Sequence, residues 1–311
     1  MHYLKLLFTN DLGKIRPLFR VILFILMFLL INIPSQMMVQ EFMEVGLFKS
    51  SIAVSLYFFS AFLSLWFQAK YIDRVQLRHF GLQINKNWIN EFAYGLLIPL
   101  VQIALFCAVL YFTDNIVLKD TFVVNFENIS FYEGFINEVY SLLLGASVEE
   151  IFFRAFLFFM LFEALRKVIP SPQKRALTIL FLSAPIFGLA HIGNDHASTL
   201  SMINLSIDAI VICLPWVLTG RLGMSIGMHF GWNFIQGIIC GFSISGNEHK
   251  VSLFLFETSN EYLSGGPFGI EGSILSLPLT VISLIIILLW KRIKSADLIH
   301  SSLVKYDEKL N

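Results

Sequence analysis

Apolar runs long enough to cross a bilayer recur along nearly the whole chain, over residues 21–39, 50–66, 92–112, 135–159, 176–190, 200–218, 224–242 and 273–290. An α-helix needs roughly 20 apolar residues to span the hydrocarbon core, and most of these runs reach or approach that length. With 56% hydrophobic and 14% charged residues and a mean hydropathy of +0.73, the chain is too apolar for a soluble globular protein of 311 residues. The strands of a membrane barrel would alternate apolar and polar residues, and these runs do not. The expected fold is all-α, a polytopic transmembrane helix bundle of about eight spans.

Charge supplies the orientation. Basic residues gather before the first run (Lys5, Lys14, Arg16, Arg20) and then in alternate loops, at Lys70, Arg74, Arg78 and Lys86, at Arg166, Lys167, Lys174 and Arg175, at Arg221, and after the last run at Lys291, Arg292, Lys294, Lys305 and Lys309. The loops between hold only Lys49, Lys119 and Lys250. The positive-inside rule puts both termini in the cytoplasm. The first run is too long for a signal peptide and has no small-residue cleavage site, so it counts as a span. Pro34 is expected to end or kink that helix near its outer end. Segment 114–133 reads as a polar outer loop, with Phe131, Tyr132 and Phe135 at the interface. The formal net charge is zero and no basic run could hold nucleic acid, so the first partner is the lipid bilayer. Cys107, Cys213 and Cys240 stand singly in apolar segments without metal spacing and read as core residues. No repeat or linker divides the chain. It is read as one integrated membrane domain, with three helices in 1–134, a core in 135–290 and a cytoplasmic tail in 291–311.

Inside these runs lie side chains that a lipid-facing helix would not keep. Glu149, Glu150 and Arg154 interrupt the fourth run, and an ionisable residue at membrane depth costs at least ~2.5–3.5 kcal/mol. On a helix Glu150 and Arg154 are one turn apart and can pair. Glu149 is rotated by about 100° from Glu150 and is left free to face a cavity. His191 closes the fifth run, and His229 and Asn233 share one helix face at a spacing of i, i+4. Hydrolysis suits this set: a carboxylate such as Glu149 takes a proton from water, His229 and Asn233 donate to the oxyanion of the scissile carbonyl, and His191 holds the water or completes the cage. Alternatively Glu149, His191 and His229 ligate Zn²⁺ with a fourth position open for water. The His-Glu-x-x-His zinc signature is absent, and the choice between metal and metal-free chemistry stays open.

The order Glu149-Glu150-x-x-x-Arg154, Phe187-x-x-x-His191 and His229-x-x-x-Asn233 resembles the CAAX-protease and bacteriocin-processing family of intramembrane peptidases, related to the type II CAAX prenyl endopeptidases. The turn Thr219 to Met224 before the His229 helix and the glycine-rich Gly265 to Gly272 loop fit the same pattern, and the resemblance runs from about Phe135 to Trp290. It implies an endopeptidase with its catalytic cavity between helices, acting on a membrane-associated peptide or protein. In it Glu149 is the water-activating base, Glu150 and Arg154 hold the helix geometry, and His191, His229 and Asn233 bind water, metal or oxyanion. Members of bacterial appearance imply a bacterial plasma membrane and a role in peptide maturation or bacteriocin self-immunity. A proton-coupled transporter and a non-catalytic membrane scaffold are the competing readings of the same buried polar cluster. No inverted repeat supports the transporter, and a scaffold has no need of a free acid.

Other polar residues are read more plainly. Asp208 lines the cavity or bridges helices, Glu138 is an ordinary interfacial acid, Asp195 and His196 lie in a solvated turn, and Gly265, Gly266 and Pro267 form a turn. Depth gives one mismatch: at 1.5 Å per residue His229 lies ~12 Å from Arg221, whereas His191 lies ~24 Å from Arg175. For the two to share a cavity, the fifth helix must begin along the interface, or tilt and a longer fourth helix must reconcile the depths.

Overall fold

The computed structural model of the chain describes residues 8, 9 and 13–294. Most of the 291–311 tail, with Lys305 and Lys309, and also Lys5, lie outside the described residues. Every apolar run is helical. In chain order the helices are α1 (Pro17–Phe42), α2 (Leu47–Phe67), α3 (Lys86–Phe112), α4 (Phe131–Glu150), α5 (Phe158–Ala164), α6 (Pro172–Leu189), α7 (Thr199–Thr219), α8 (Gly223–Asn233) and α9 (Ser276–Lys294). A π-helical turn, Ile151–Leu157, joins α4 to α5, and π-helical segments extend α2 (Gln68–Asp73) and α8 (Phe234–Ile239). Four helices, Pro17–Phe42, Leu47–Asp73, Lys86–Phe112 and Thr199–Thr219, are long and apolar enough to cross a membrane by length and composition alone. The others are shorter or carry the ionisable residues.

Local chemistry sets the boundaries. Pro17 opens α1, where its missing N–H costs nothing. Of the two effects expected of Pro34, ending the helix does not occur: α1 continues to Phe42. Polar groups beside the proline find partners, since the Ser35 hydroxyl donates to the Asn32 carbonyl at 2.9 Å and the Gln36 amide to Ala53 O at 2.8 Å. Such compensation is how apolar helices tolerate proline. A capping box starts α4, in which Glu133 accepts from the Ser130 N–H at 2.9 Å and hydroxyl at 2.7 Å. Those two bonds hold the Glu133 carboxyl below its ordinary range. Gly220, with φ of 67°, ends α7 in the left-handed conformation and so makes the expected turn into α8.

Between α3 and α4 the expected polar loop contains a strand, β1 (Ile116–Val124), paired antiparallel with β2 (Val251–Thr258) from Ile116↔Thr258 to Val124↔Val251. The bundle is thus all-helical except for one two-stranded sheet. Glu138, read as interfacial, is instead buried: it lies 3.2 Å from Lys250 Nζ and 3.6 Å from His249 Nδ1. At the opposite end Arg20 donates to Asp73 at 2.7 Å and to Glu163, tying α1, the end of α2 and α5 together.

The helix that carries His229 is fixed by backbone contact. Gly223, Gly227 and Gly231 form a small-residue stripe on α8 against α3. A Cβ on Gly227 would come within 2.3 Å of the Phe92 carbonyl oxygen, and one on Gly223 within 2.3 Å of that of Trp88. Gly227→Val is therefore expected to destabilise the protein by about 1–3 kcal/mol or more. Gly145→Ala, where an added Cβ meets nothing within 4 Å, is expected to be neutral or slightly stabilising. Thermal melts of the two variants in detergent check the contrast.

Candidate active site

Helices α4, α6 and α8 bring the singled-out residues to one cavity of ≈ 290 Å³, lined by Glu149, His191, His229 and Asn233 among others. Glu149 and Glu150 end α4, immediately before the π turn. A π turn adds a residue to the ladder and re-aims the side chains beyond it. Arg154, within it, still meets Glu150, at 3.1 Å. The guanidinium also stands 4.2 Å from the centroid of the Phe187 ring, so a buried cation sits between a carboxylate and an aromatic face.

The neighbouring acids separate as their rotation requires. Glu150 is fully buried and faces Arg154 and His229, whereas the Glu149 side chain is one-third exposed into the cavity. The Nδ1–H of His229 donates to Glu150 Oε1 at 2.8 Å. That of His191 donates to the Phe187 carbonyl at 2.9 Å. A carbonyl or carboxylate can only accept, so each ring carries a proton on Nδ1 and, while neutral, presents the Nε2 lone pair elsewhere. Both Nε2 atoms turn toward Glu149 Oε2, at 3.8 Å from His229 and 4.0 Å from His191. Three acceptors thus converge with no protein donor between them, and Glu149 Oε2 makes no hydrogen bond of its own.

Something bearing protons or positive charge belongs in that gap. Two His and one Glu are a donor set of the kind that holds Zn²⁺, and carboxylate and carbonyl partners on Nδ1 are usual behind metal-ligating rings. The spacing is wider than metal needs: bonds of ~2.1 Å in a tetrahedron put ligand atoms about 3.4 Å apart. Among the described residues no group of three or more His, Cys, Asp or Glu is gathered closely enough to hold a metal ion. A water molecule, with hydrogen bonds of about 2.8 Å, reaches Glu149 and a ring together.

His191 and His229 therefore share one centre despite the unequal depths counted from the charges. Arg175, the zero of one count, is near the start of α6. It is buried, with its guanidinium 4.1 Å from the centroid of the Phe162 ring. Asn233 lies one turn beyond His229 on the same cavity wall. Asp208 lines the cavity and accepts from the Thr280 hydroxyl. Asp195 and His196 do not line it, but Asn194 does, its amide donating to Ser245 O at 2.9 Å.

Residues 133–235 match the family model for type II CAAX prenyl endopeptidase Rce1-like proteins. Over that stretch the chain is similar to the CAAX-protease family. The matched stretch includes all six singled-out residues, and it ends before the glycine-rich loop and α9. Searches of curated proteins and of solved structures gave no match. That similarity supports an endopeptidase working in the membrane, in keeping with the long apolar helices.

Sequence reading gave Phe187 no role beyond its place in a motif. It is 3% exposed and packs on Arg154, on His191 (ring centroids 4.9 Å apart) and on His229 (6.2 Å). It also gave Glu271 and Trp232 none, although Trp232 Nε1 donates to the Glu271 carboxylate at 2.8 Å beside the cavity. Phe187→Ala is expected to cost about 3–5 kcal/mol of stability, with Phe187→Leu costing less; equilibrium unfolding in detergent checks the order.

Proposed function

We propose that the chain is an intramembrane endopeptidase that hydrolyses a peptide bond of a membrane-associated peptide or protein, with Glu149 as the base that activates water. The observation that carries this reading is the convergence of Glu149 Oε2 with two histidine Nε2 atoms, at 3.8 and 4.0 Å, inside one cavity.

Water held between Glu149 and His191 is oriented by the ring, whose tautomer the Phe187 carbonyl fixes. Its oxygen attacks the scissile carbonyl carbon while its proton passes to Glu149. The oxyanion is met by the Asn233 amide, a donor in any protonation state, and by His229, which donates from Nε2 in its doubly protonated form. As the C–N bond breaks, Glu149 returns the proton to the leaving amine. Glu150 is the positioning residue: it holds His229 through Nδ1 and is itself neutralised by Arg154. The Lys- and Arg-rich loops support cytoplasmic termini.

A second reading has specific support in the donor set. His191, His229 and Glu149 would be the residues to hold a Zn²⁺ ion if they drew closer than their present spacing; bound there, zinc would supply Lewis-acid activation of water.

Cleavage of quenched-fluorescence peptides by the purified protein in lipid tests both. Glu149→Gln is expected to lower kcat by about 10²–10⁴-fold or more with an unchanged melting temperature. Glu150→Gln is expected to lose about 10–100-fold, as the removal of an orienting carboxylate does. A fully active Glu149→Gln protein would sink the proposal. Chelator sensitivity, restored by added Zn²⁺, would select the metal mechanism.

A further inference from the structure

The wall of the cavity away from Glu149 carries acids that the hydrolytic mechanism does not use. Elsewhere in the protein each buried acid faces a cation: Asp73 and Glu163 face Arg20, Glu91 faces Arg221, Glu138 faces Lys250 and Glu150 faces Arg154. Glu271, buried, and Asp208, half-buried, face none. Glu271, 2% exposed, accepts only from neutral donors, the side chains of Trp232 at 2.8 Å and Gln236 at 2.9 Å and the backbone N–H groups of Glu271 and Ser245, and meets no cation. Asp208 accepts from the Thr280 hydroxyl. Neither forms an ion pair among the described residues, and both line the cavity of Glu149, into which no Lys or Arg projects.

Two residues packed behind that wall, which do not line the cavity themselves, keep spare acceptors. Asn204, one turn before Asp208 and 1% exposed, donates to the carbonyls of Glu271 and Ser273 at 2.8 and 2.9 Å, which leaves its Oδ1 without a hydrogen bond. Gln236, fully buried, gives its amide hydrogens to Glu271 and Ser243, and its Oε1 is likewise unpartnered. Gln102, 5% exposed and on the cavity wall, donates to Leu279 O at 2.9 Å. Donors here are already committed to the protein, and oxygens are left over. Uncompensated carboxylates and orphaned acceptors are both costly away from water. A group made only of donors and bearing positive charge relieves the carboxylates that line the cavity; an ammonium offers three N–H and a guanidinium five.

Position ties this wall to the reacting centre. His229, facing Glu149, and Trp232, holding Glu271, are three residues apart on α8, about 4.5 Å of rise. A side chain on a residue flanking the scissile bond spans that distance.

We propose that Asp208 and Glu271 form a specificity pocket for a basic side chain, lysine or arginine, of the substrate next to the scissile bond. The pocket rests on the endopeptidase reading of the same cavity, and it adds a substrate class to it. An Asp208 that served only as a neutral hydrogen-bonding partner of Thr280 would need no such ligand, and asparagine would replace it.

Binding and cleavage are read separately on the full-length protein in nanodiscs. Fluorescent peptides that differ only by Lys, Arg, norleucine or Glu, walked through the positions flanking the cleavage site, are titrated onto the Glu149→Gln protein, which binds without turnover. At one position the Lys and Arg peptides are expected to bind about tenfold or more tighter than norleucine. Adding Asp208→Asn is expected to bring that ratio to within about twofold, and Asp208→Glu to keep most of it. Glu271→Gln, read in the same way, gives a second loss of the ratio that does not depend on Asp208→Asn folding. Protein with Glu149 intact is expected to rank the peptides in the same order by kcat/KM. Equal affinity for Lys and norleucine peptides at every position overturns the pocket, and so does a ratio that survives Asp208→Asn. Preferential binding lost with Asp208, together with no cleavage by the wild type, leaves the cation pocket standing and removes the endopeptidase reading.

Discussion

Charge removed from water must be neutralised close by, and that requirement organises this helical bundle. Arg20 draws α1, α2 and α5 together because two carboxylates need it. Arg221, at the start of α8, is anchored to Glu91 of α3. In the centre, Arg154 neutralises Glu150, and Glu150 in turn holds His229 on a different helix. A buried pair is weak evidence of stability, since desolvation offsets much of the attraction. What such pairs supply here is register, because each can be satisfied in only one arrangement of the helices.

Glu149 and Glu150 show how adjacent residues of one type acquire different tasks. Successive residues on a helix diverge by about 100°, so one acid turns into the protein and the other into the cavity. Glu150 then works through other side chains: it sets the ring of His229, and its own charge is cancelled. Glu149 keeps an oxygen without a hydrogen bond, facing two ring nitrogens. The backbone oxygen of Phe187 orients His191 as Glu150 orients His229. Two histidines are thereby given the same tautomer by unlike partners.

Much of this was legible in the sequence, and the reasons for the rest are physical. The helices were legible because apolar length is nearly sufficient for a membrane helix. Glu149, Glu150, Arg154, His191, His229 and Asn233 were legible because ionisable and polar side chains stand out in apolar runs, and all six meet as their spacing suggested. The strand at Ile116–Val124 was not, because its partner is more than a hundred residues away, and an isolated pair of strands is too weak to leave a clear signal. The burial of Glu138 was hidden because Lys250 reaches it from a loop distant in sequence. The burial of Arg175 against Phe162 was hidden too, because a positive-inside argument takes a basic residue near a helix end as a surface marker. Phe187 and Glu271 escaped notice for opposite reasons: one looked like any apolar core residue, the other like any polar loop residue.

The glycine stripe on α8 bears on how such a protein can diverge. Because Gly223 and Gly227 hold the helix by main-chain contact with α3, the location of His229 owes little to the identity of the side chains on the far side of α8. Residues such as Met228 and Trp232 that line the cavity can then be exchanged without shifting the reacting centre. Evolution of new substrate preferences is thereby uncoupled from upkeep of the chemistry, and relatives of this chain would be expected to vary most where the cavity is lined and least where the two backbones touch.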